Sequence, residues 1–297
     1  MNSNTIIENY IKINEYNSRQ IILIYEQENF MIGKRNGKVC FIIRSNGGKQ
    51  NKFRNGDMSV DLNKEYIVSN ETGLYSIIFY ESNNIDKIRI FIETLMNIVS
   101  NKSINSEQLL ETYNNISEVF KPFKFYFSDF IGYFGELIFI YLMYKEQEIN
   151  LVEYYQANKQ HLVDFKFNEI NFEIKTSLTN KREHTINNEQ LNGNGYLCSI
   201  LLKEDNQGKD FSELFNECKP LFRNNKLKYA FFENYILSIP FNVLKERYLL
   251  STSILKFYNF KDIPRFEDYP DSISKIKYTI NLSNIVSRNI NDINFDH

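Results

Sequence analysis

The sequence has few of the features that mark several common protein classes. It contains only three cysteines, Cys40, Cys198 and Cys218, with no CxxC pair, which argues against a secreted disulfide framework and against a zinc ribbon. It has no tryptophan and many asparagines and isoleucines, a bias that points to an AT-rich genome and not to a function. Its 35 Lys and Arg nearly balance its 37 Asp and Glu, for a net charge of −2. This excludes binding of polyanions through bulk positive charge, so any affinity for nucleic acid must come from a local patch.

Long apolar runs are also missing. The most apolar stretch, Leu137 to Met143, is far shorter than the ~20 residues that a membrane helix needs. The polar N-terminus, residues 1–10, lacks the basic and apolar segments of a signal peptide. We therefore expect a soluble, cytoplasmic protein with no membrane partner. The 42% of hydrophobic and 15% of aromatic residues supply ample material for a core.

The order of local patterns predicts an α/β (α+β) fold. Short β-prone runs separated by Gly and Asn turns predict an N-terminal β-rich unit over residues 1–82. Residues 83–297 are expected to hold a helical connector, a mixed core and a C-terminal extension. The expected helices cover 85–100, 106–120, 128 or 129 to 144 and 210–222, and the expected strands cover 162–167, 170–177, 196–202, 229–239 and 276–282. Such an alternation predicts a mixed sheet flanked by helices.

The most informative segment is 162–175, which alternates polar and apolar residues on both sides of a polar break at 168–169. Two strands joined at that break would pair residues whose numbers sum to 337, so that Asp164 faces Glu173. Like charges that face each other across a hairpin are destabilising. A hard divalent cation between the two carboxylates would explain the pair, and Mg²⁺ prefers such oxygen ligands.

Lys175 leaves the same strand face as Glu173, because it lies two residues further along the strand. Its ammonium could orient or help deprotonate an attacking water, or stabilise a pentacovalent phosphate. Two carboxylates and a lysine on one face would suit phosphodiester hydrolysis. The alternative is a solvated hairpin that alternates acid and base without any catalytic role.

Glu136 lies upstream on an apolar helix that also carries Gly132 and Gly135. Each glycine costs about 1 kcal/mol in a helix interior relative to Ala, so we expect the helix to pack closely against a sheet. The helical period turns Glu136 inward, and a buried carboxylate needs a partner. That partner is either the acidic cluster's cation or, in the alternative interpretation, a lysine or a backbone amide.

Two basic segments are candidates for contact with DNA. Downstream of the acidic residues, Arg182, His184 and Gln190 could hold phosphates or the attacking water, and Lys181 is a further candidate for contact with DNA. Residues 34–54 contain no acid and could contact the phosphate backbone. From this run we select Arg35, Lys38 and Arg44. In the alternative interpretation, residues 181–191 form only a polar loop that leads into a short helix, and residues 34–54 form only the solvated faces of hairpins.

Together, Glu136, Asp164, Glu173-Ile174-Lys175 and Gln190 resemble the PD-(D/E)XK nuclease superfamily. More narrowly, the chain is similar to the bacterial family of PD-(D/E)XK motif proteins associated with restriction and phage-defence loci. Residues 182–191 and a tail at 269–282 carry this narrower resemblance. One departure is that Val163 stands where the superfamily's name has Pro.

The resemblance implies a restriction-endonuclease-like fold and Mg²⁺-dependent hydrolysis of double-stranded DNA, with Mn²⁺ as a substitute. Asp164 and Glu173 would be metal ligands, with Glu136 and Ile174 as further members of the metal site. Lys175 would be the catalytic lysine, and Gln190 would support catalysis.

A role in bacterial restriction or anti-phage defence follows from the same resemblance. Double-strand cleavage would favour a homodimer, and methyltransferase or ATPase subunits are candidate partners. A non-catalytic DNA-binding or scaffolding subunit of a restriction complex remains an alternative, as does a nuclease directed at RNA, because both could use the same residues.

Overall fold

The computed structural model describes residues 3–13, 20–99, 102–156, 162–267, 270, 272–273, 275–293 and 295. Tyr269, Asp271 and Ser274, which belong to the tail that carries part of the family resemblance, lie outside these residues. The rest of that tail, including its predicted strand, is described.

Within the described residues the chain mixes helices and strands. Seven segments are α-helical: α1 (Ser3–Lys12), α2 (Ile85–Val99), α3 (Ser106–Val119), α4 (Phe127–Gln147), α5 (Phe211–Cys218), α6 (Lys226–Ile236) and α7 (Phe241–Leu244). Thirteen segments are strands: β1 (Ile22–Gln27), β2 (Phe30–Arg35), β3 (Lys38–Arg44), β4 (Asn51–Asn55), β5 (Met58–Val68), β6 (Glu71–Tyr80), β7 (Phe165–Phe167), β8 (Ile170–Ser177), β9 (Glu183–Asn187), β10 (Gly195–Leu201), β11 (Glu204–Lys209), β12 (Leu255–Asn259) and β13 (Lys277–Asn281). This mixture confirms the predicted α/β (α+β) class.

The chain divides into two compact units. The first comprises Met1–Lys124 with Lys226–Ser238, and the second comprises Phe125–Asn225 with Ile239–His297. The first unit is built on a six-stranded antiparallel sheet in the order β1-β2-β3-β6-β5-β4. It also contains α2, α3 and α6, beyond the residue 82 at which the sequence placed the end of the β-rich unit. These helices belong there because α2 contacts β3, α3 contacts β5 and β6, and α6 contacts both helices.

Residues 229–239, which the sequence predicted as a strand, are mostly helical. They fall largely within α6, which buries Phe231, Phe232 and Tyr235 against the first unit. Asn234 Nδ2 donates to the carbonyl oxygen of Val119 at 2.8 Å and so ties α6 to the end of α3. The prediction was wrong because a short aromatic-rich run suits a buried strand and a buried helix equally well. Contacts with two helices distant in sequence decide between them.

The second unit is organised around a four-stranded mixed sheet in the order β12-β10-β8-β7. Its central strand β8 runs parallel to β10 and antiparallel to β7, and β12 runs antiparallel to β10. The helix α4 packs on β8, and α5 packs on α4. A mixed sheet flanked by helices was expected from the sequence, and the structure confirms it.

The strands β7 and β8 form the predicted hairpin in the predicted register. Phe165 pairs with Phe172, and the neighbouring pairs obey the same sum of 337. Asn168 adopts φ +52° at the turn, a conformation that two-residue hairpin turns require and that Asn tolerates. Phe165 and Phe172 contact Phe139 of α4 at ring distances of 5.2 and 5.6 Å. The alternation therefore leaves Glu173 and the residue at 175 on a common face.

The helix α4 is the one helix in the described part of the chain that is long and apolar enough to cross a membrane. Ten of its residues are buried within the protein, and it packs against β8 and α5. These contacts make it the central core helix of the second unit.

The strands β9 and β13 pair antiparallel as a separate two-stranded ribbon. On its inner face, Ile186 joins an apolar cluster with Leu197 and Tyr258, and Tyr278 packs against that cluster. The outer residues at 183, 185, 277, 279 and 281 are exposed. This alternation is typical of a ribbon with one face on the core and one face in solvent.

Candidate active site

The residues predicted for catalysis and metal binding meet in one cavity of the second unit, with a volume of about 550 Å³. All six line it: Glu136, Asp164, Glu173, Ile174, Lys175 and Gln190. The fold thus brings together α4, the β7–β8 hairpin and the short turn after β9. Sequence spacing alone could relate only the hairpin residues to one another.

Glu173 is the most enclosed carboxylate of the cavity, with 2% of its surface exposed. Its Oε1 accepts hydrogen bonds from Lys175 Nζ and Gln190 Nε2, both at 2.6 Å. Its Oε2 is buried and has no hydrogen-bond partner among the described residues. Asp164 Oδ2 accepts from the main-chain N–H of Ile174 at 2.7 Å. A buried carboxylate oxygen without a donor is a position that a cation would stabilise.

Glu136 reaches the cavity because α4 approaches β8 closely. A Cβ at Gly135 would lie 1.8 Å from Thr176 Oγ1, so glycine is needed there, as predicted. At Gly132 a Cβ would meet no atom within 4 Å, and close packing does not explain this second glycine, which borders the cavity. Glu136 Oε2 accepts a 2.5 Å hydrogen bond from the hydroxyl of Tyr155. Among the described residues its hydrogen-bond partner is therefore a tyrosine, and neither a lysine nor a backbone amide.

The negative charge of this cluster is only partly compensated. Burial raises the pKa of Glu136 well above its usual range, and repulsion from Asp164 and Glu173 raises it further. Burial, followed by repulsion from Asp164, raises the pKa of Glu173 to about 8. Burial also raises the pKa of Asp164, although the Ile174 N–H and Lys175 oppose the shift. Three ionised carboxylates and one ammonium would leave two uncompensated negative charges. One divalent cation would balance them.

The donor set fits a hard divalent cation by its chemistry. Mg²⁺ takes carboxylate and carbonyl oxygens, and the unpartnered Oε2 of Glu173 is such an oxygen. No group of three or more His, Cys, Asp or Glu side chains in the described part of the chain is arranged to hold a metal ion. The hydrogen bonds from Lys175 and Tyr155 engage one oxygen each of Glu173 and Glu136. The fit therefore rests on the unpartnered oxygen and on the charge of the cluster.

Gln190 is held at both ends of its side-chain amide. Its Oε1 accepts from the main-chain N–H of Asn187 at 2.9 Å, and its Nε2 donates to Glu173 Oε1. The first bond belongs to a capping box at the start of a 3₁₀ turn, Asn188–Leu191. Gln190 therefore fixes the position of the Glu173 carboxylate.

The predicted DNA contacts Arg182 and His184 lie in internal hydrogen bonds. Arg182 donates to the carbonyl oxygen of Ser199 at 2.5 Å, to Ser199 Oγ at 3.0 Å and to the carbonyl oxygen of Ile254 at 3.0 Å. His184 is buried with Nε2 2.6 Å from Ser199 Oγ. Burial, with help from nearby cationic side chains, lowers its pKa to about 4. Neither residue lines the cavity, and Lys181 is exposed outside it. Contact with DNA by these three residues stays a prediction.

The basic residues selected from residues 34–54 lie in the first unit and have local partners. Arg35 lies over the ring of Tyr66, Lys38 pairs with Glu81, and Arg44 pairs with Glu26 and Glu71. The ion-pair distances range from 2.8 to 3.7 Å. The run contains no acid in sequence, but the fold supplies acids from other segments.

The cavity lining also includes residues that the sequence did not predict, among them Tyr133, Tyr155 and Lys277. Tyr133 lies three residues before Glu136 on α4, and this helical spacing could have indicated it. Tyr155 follows a 3₁₀ turn and matches no spacing rule. Lys277 belongs to the tail, and only the pairing of β13 with β9 brings it to the cavity.

Comparison with models of protein families identifies a family for this chain. Residues 6–283 match the family described as "Putative PD-(D/E)XK family member, (DUF4420)". No curated protein and no solved structure matches the chain. The family match confirms the resemblance drawn from the sequence, whereas association with defence loci stays a prediction. Because the match spans nearly the whole chain and includes the cavity residues, the protein belongs to this PD-(D/E)XK family and has a nuclease-like fold.

Proposed function

We propose that this protein is a metal-dependent nuclease that hydrolyses phosphodiester bonds in double-stranded DNA. One observation carries this function: Glu136, Asp164 and Glu173 line a single cavity with Lys175, and Glu173 Oε2 has no hydrogen-bond partner among the described residues. Membership of the PD-(D/E)XK family supports a nuclease-like fold on which such a cavity would act. Charge that burial leaves uncompensated is common at catalytic sites and uncommon on inert surfaces.

Asp164 and Glu173 would hold a Mg²⁺ or Mn²⁺ ion, with Glu136 and Ile174 beside them. When bound, the ion would polarise the scissile phosphate and offset charge on the leaving oxygen. Lys175 Nζ lies 2.6 Å from Glu173 Oε1, where it can stabilise negative charge on the phosphate or orient the attacking water. Gln190 keeps the Glu173 carboxylate in position for both roles.

In the hydrolysis, a water oxygen bonds to phosphorus, and the bond from phosphorus to the 3′ oxygen breaks. The water gives up one proton, and the 3′ oxygen gains one, which leaves a 5′-phosphate and a 3′-hydroxyl. One cavity cuts one strand, so double-strand cleavage would need two copies of the chain. We place this activity in bacterial restriction or phage defence in the cytoplasm, with methyltransferase or ATPase subunits as partners.

Two other functions would use the same cavity or the same fold. A scaffolding or DNA-binding subunit would bind DNA independently of Asp164 and Glu173. A nuclease directed at RNA would need these residues but would cut a different substrate. Both are outcomes of the experiment that tests the proposed function.

The experiment incubates the full chain with plasmid DNA, modified and unmodified, and with RNA of matching sequence. Each substrate is tested with Mg²⁺, with Mn²⁺ and with a chelator. The variants Glu173→Gln and Lys175→Met remove one charge each and nearly keep side-chain size. Glu169→Gln, at the exposed turn of the same hairpin, is the matched control.

We expect the wild type and Glu169→Gln to cut DNA only with the divalent cation. Glu173→Gln and Lys175→Met should lose at least about 100-fold in rate, because each removes charge from the reacting centre. Cleavage by Lys175→Met at the wild-type rate would refute the assignment. Binding without cleavage would indicate a scaffold, and cleavage of RNA alone would indicate an RNA nuclease.

A further inference from the structure

The cavity has a second lysine on its rim, contributed by the ribbon of β9 and β13. Lys277 is the first residue of β13 and pairs with Asn187 of β9. Directly opposed residues of an antiparallel pair share a face, and side chains two residues apart on a strand do too. Lys277 therefore lies on the polar outer face of the ribbon together with Thr185, and both line the cavity.

The two lysines of the cavity differ in what they contact. Lys175 is partly buried and forms a 2.6 Å ion pair with Glu173. Lys277 is exposed, and no hydrogen bond or ion pair engages it among the described residues. Of the cavity's two ammonium groups, Lys277 is thus the one whose charge no acidic side chain of the described chain offsets.

The charges of the cavity show why this lysine matters for a polyanionic substrate. Glu136, Asp164 and Glu173 carry three negative charges when all are ionised. A bound divalent cation together with Lys175 would offset these three charges. Lys277 would then supply the positive charge that attracts a phosphate to the rim of the cavity.

We propose that Lys277 is a substrate-binding residue that holds a backbone phosphate of the nucleic acid at the rim of the cavity, an inference that rests on the proposed function. Its ammonium is a point charge on a flexible stem, which suits contact with a phosphate without reading the base. The hydroxyl of Thr185 on the same face lies 3.2 Å from the hydroxyl of Thr279, and with Thr279 as the donor of that bond Thr185 can donate to the same phosphate or to the next one. Lys277 does not touch the reacting atoms, so its contribution is to binding.

A different result is expected if Lys277 is an ordinary surface lysine that makes no contact with DNA. Its neutralisation would then change the affinity for DNA only slightly, and by the same amount as neutralisation of any other surface lysine. A lysine that contacts a phosphate releases a bound counterion from the nucleic acid when it binds, which makes affinity depend on salt. The salt dependence of binding separates the two cases independently of cleavage.

The experiment measures fluorescence anisotropy of a labelled DNA duplex of about 20 base pairs, titrated with the full chain. Ca²⁺ replaces Mg²⁺ so that binding is measured apart from hydrolysis, and the salt concentration is varied. Lys277→Gln removes the charge, and Lys277→Arg keeps it. Lys275→Gln, an exposed lysine two residues earlier that does not line the cavity, is the matched control.

We expect Lys277→Gln to raise Kd about fivefold near 0.15 M salt and to lower the slope of log Kd against log salt by about one. In cleavage with Mg²⁺ it should raise KM by a similar factor and leave kcat nearly unchanged, since it removes uniform binding. Lys275→Gln and Lys277→Arg should stay close to the wild type.

Wild-type affinity and slope in Lys277→Gln would overturn this inference while leaving the nuclease proposal intact, provided that the wild type still cuts. An equal loss in Lys275→Gln would also overturn it, because diffuse charge would then explain the effect. A wild-type chain that neither binds nor cuts the duplex would overturn both.

Discussion

The cavity of the second unit and the basic residues 34–54 of the first unit differ in how far their charged side chains are exposed to water and paired with opposite charges. In the cavity, carboxylates are withdrawn from water and set beside one another, and burial raises the pKa of Glu136, Asp164 and Glu173. Among the basic residues, Lys38 and Arg44 stay at the surface, and each forms an ion pair with an acid. The first arrangement stores electrostatic repulsion that a ligand can relieve, whereas in the second Lys38 and Arg44 already have acidic partners.

This difference distinguishes the candidate active site from an ordinary charged surface. Exposed ion pairs contribute only about 0–1 kcal/mol because water screens them. Buried like charges are far more unfavourable, and a protein retains them where a cation or a reaction makes use of them. In the part of the chain that the structure describes, Oε2 of Glu173 is buried without a hydrogen-bond partner, and this observation supports the proposal that the cavity binds a cation.

The largest expected effect concerns the stability of the metal-free protein as pH changes. In the unfolded chain Glu173 titrates near 4.5, and in the folded chain its pKa is about 8. Below the lower value both states hold the proton, and no stability is lost. Between the two values only the folded state keeps it, so the free energy of unfolding falls as pH rises, by on the order of a few kcal/mol.

Melting temperatures from about pH 4.5 to about pH 9, with a chelator and with Mg²⁺, test this expectation. Mg²⁺ should restore most of the lost stability at the alkaline end, and Glu173→Gln should flatten the chelator curve. Glu169→Gln should follow the wild type. A melting temperature that is independent of pH in chelator would contradict the uncompensated negative charge inferred for the cavity.

A smaller effect is expected from Tyr155→Phe. The substitution keeps the ring against Phe165, 5.1 Å away, but removes the hydroxyl that donates to Glu136 Oε2. A hydrogen bond to a charged group contributes about 1.5–3 kcal/mol, so we expect roughly a tenfold or greater loss in cleavage rate. The Mg²⁺ concentration for half-maximal rate should rise because Glu136 is no longer held in place.

The matched control is Tyr154→Phe, whose ring packs on Phe167 outside the cavity lining. It should leave both quantities unchanged. Equal rates for Tyr155→Phe and the wild type would show that Glu136 needs no such support.

The smallest effect is expected among the basic residues of the first unit. Arg44→Gln removes a guanidinium that already pairs with Glu26 and Glu71, so affinity for DNA should change by less than about twofold. Duplex binding measured by anisotropy checks this value. A loss of about fivefold would instead indicate a phosphate contact, as the sequence predicted for Arg35, Lys38 and Arg44, and would weaken the contrast between the two regions.

Local patterns predicted the parts of the site that lie close together in the chain. The register of the β7–β8 hairpin followed from period-two alternation around a polar turn, and that register set Asp164 near Glu173. The same reasoning could not find Tyr155 or Lys277, because no spacing rule connects them to the hairpin. It also assigned α6 to a strand, since an aromatic-rich run fits either structure until its packing partners are known.

From the amino-acid sequence alone one obtains the fold class, the acidic hairpin with Lys175 and the resemblance to PD-(D/E)XK proteins. The fold class and the hairpin depend on periodicity within short segments, and the resemblance depends on the identity of motif residues between 136 and 191 and in the tail at 269–282. Only the tertiary structure decided which charged groups find partners. Arg182 and Arg44 acquired internal or acidic partners from distant strands and turns. One oxygen of Glu173 and the ammonium of Lys277 have no partner among the residues that the structure describes. Compensation of charge depends on distances in space between residues far apart in the chain, and these distances exist only once the chain has folded.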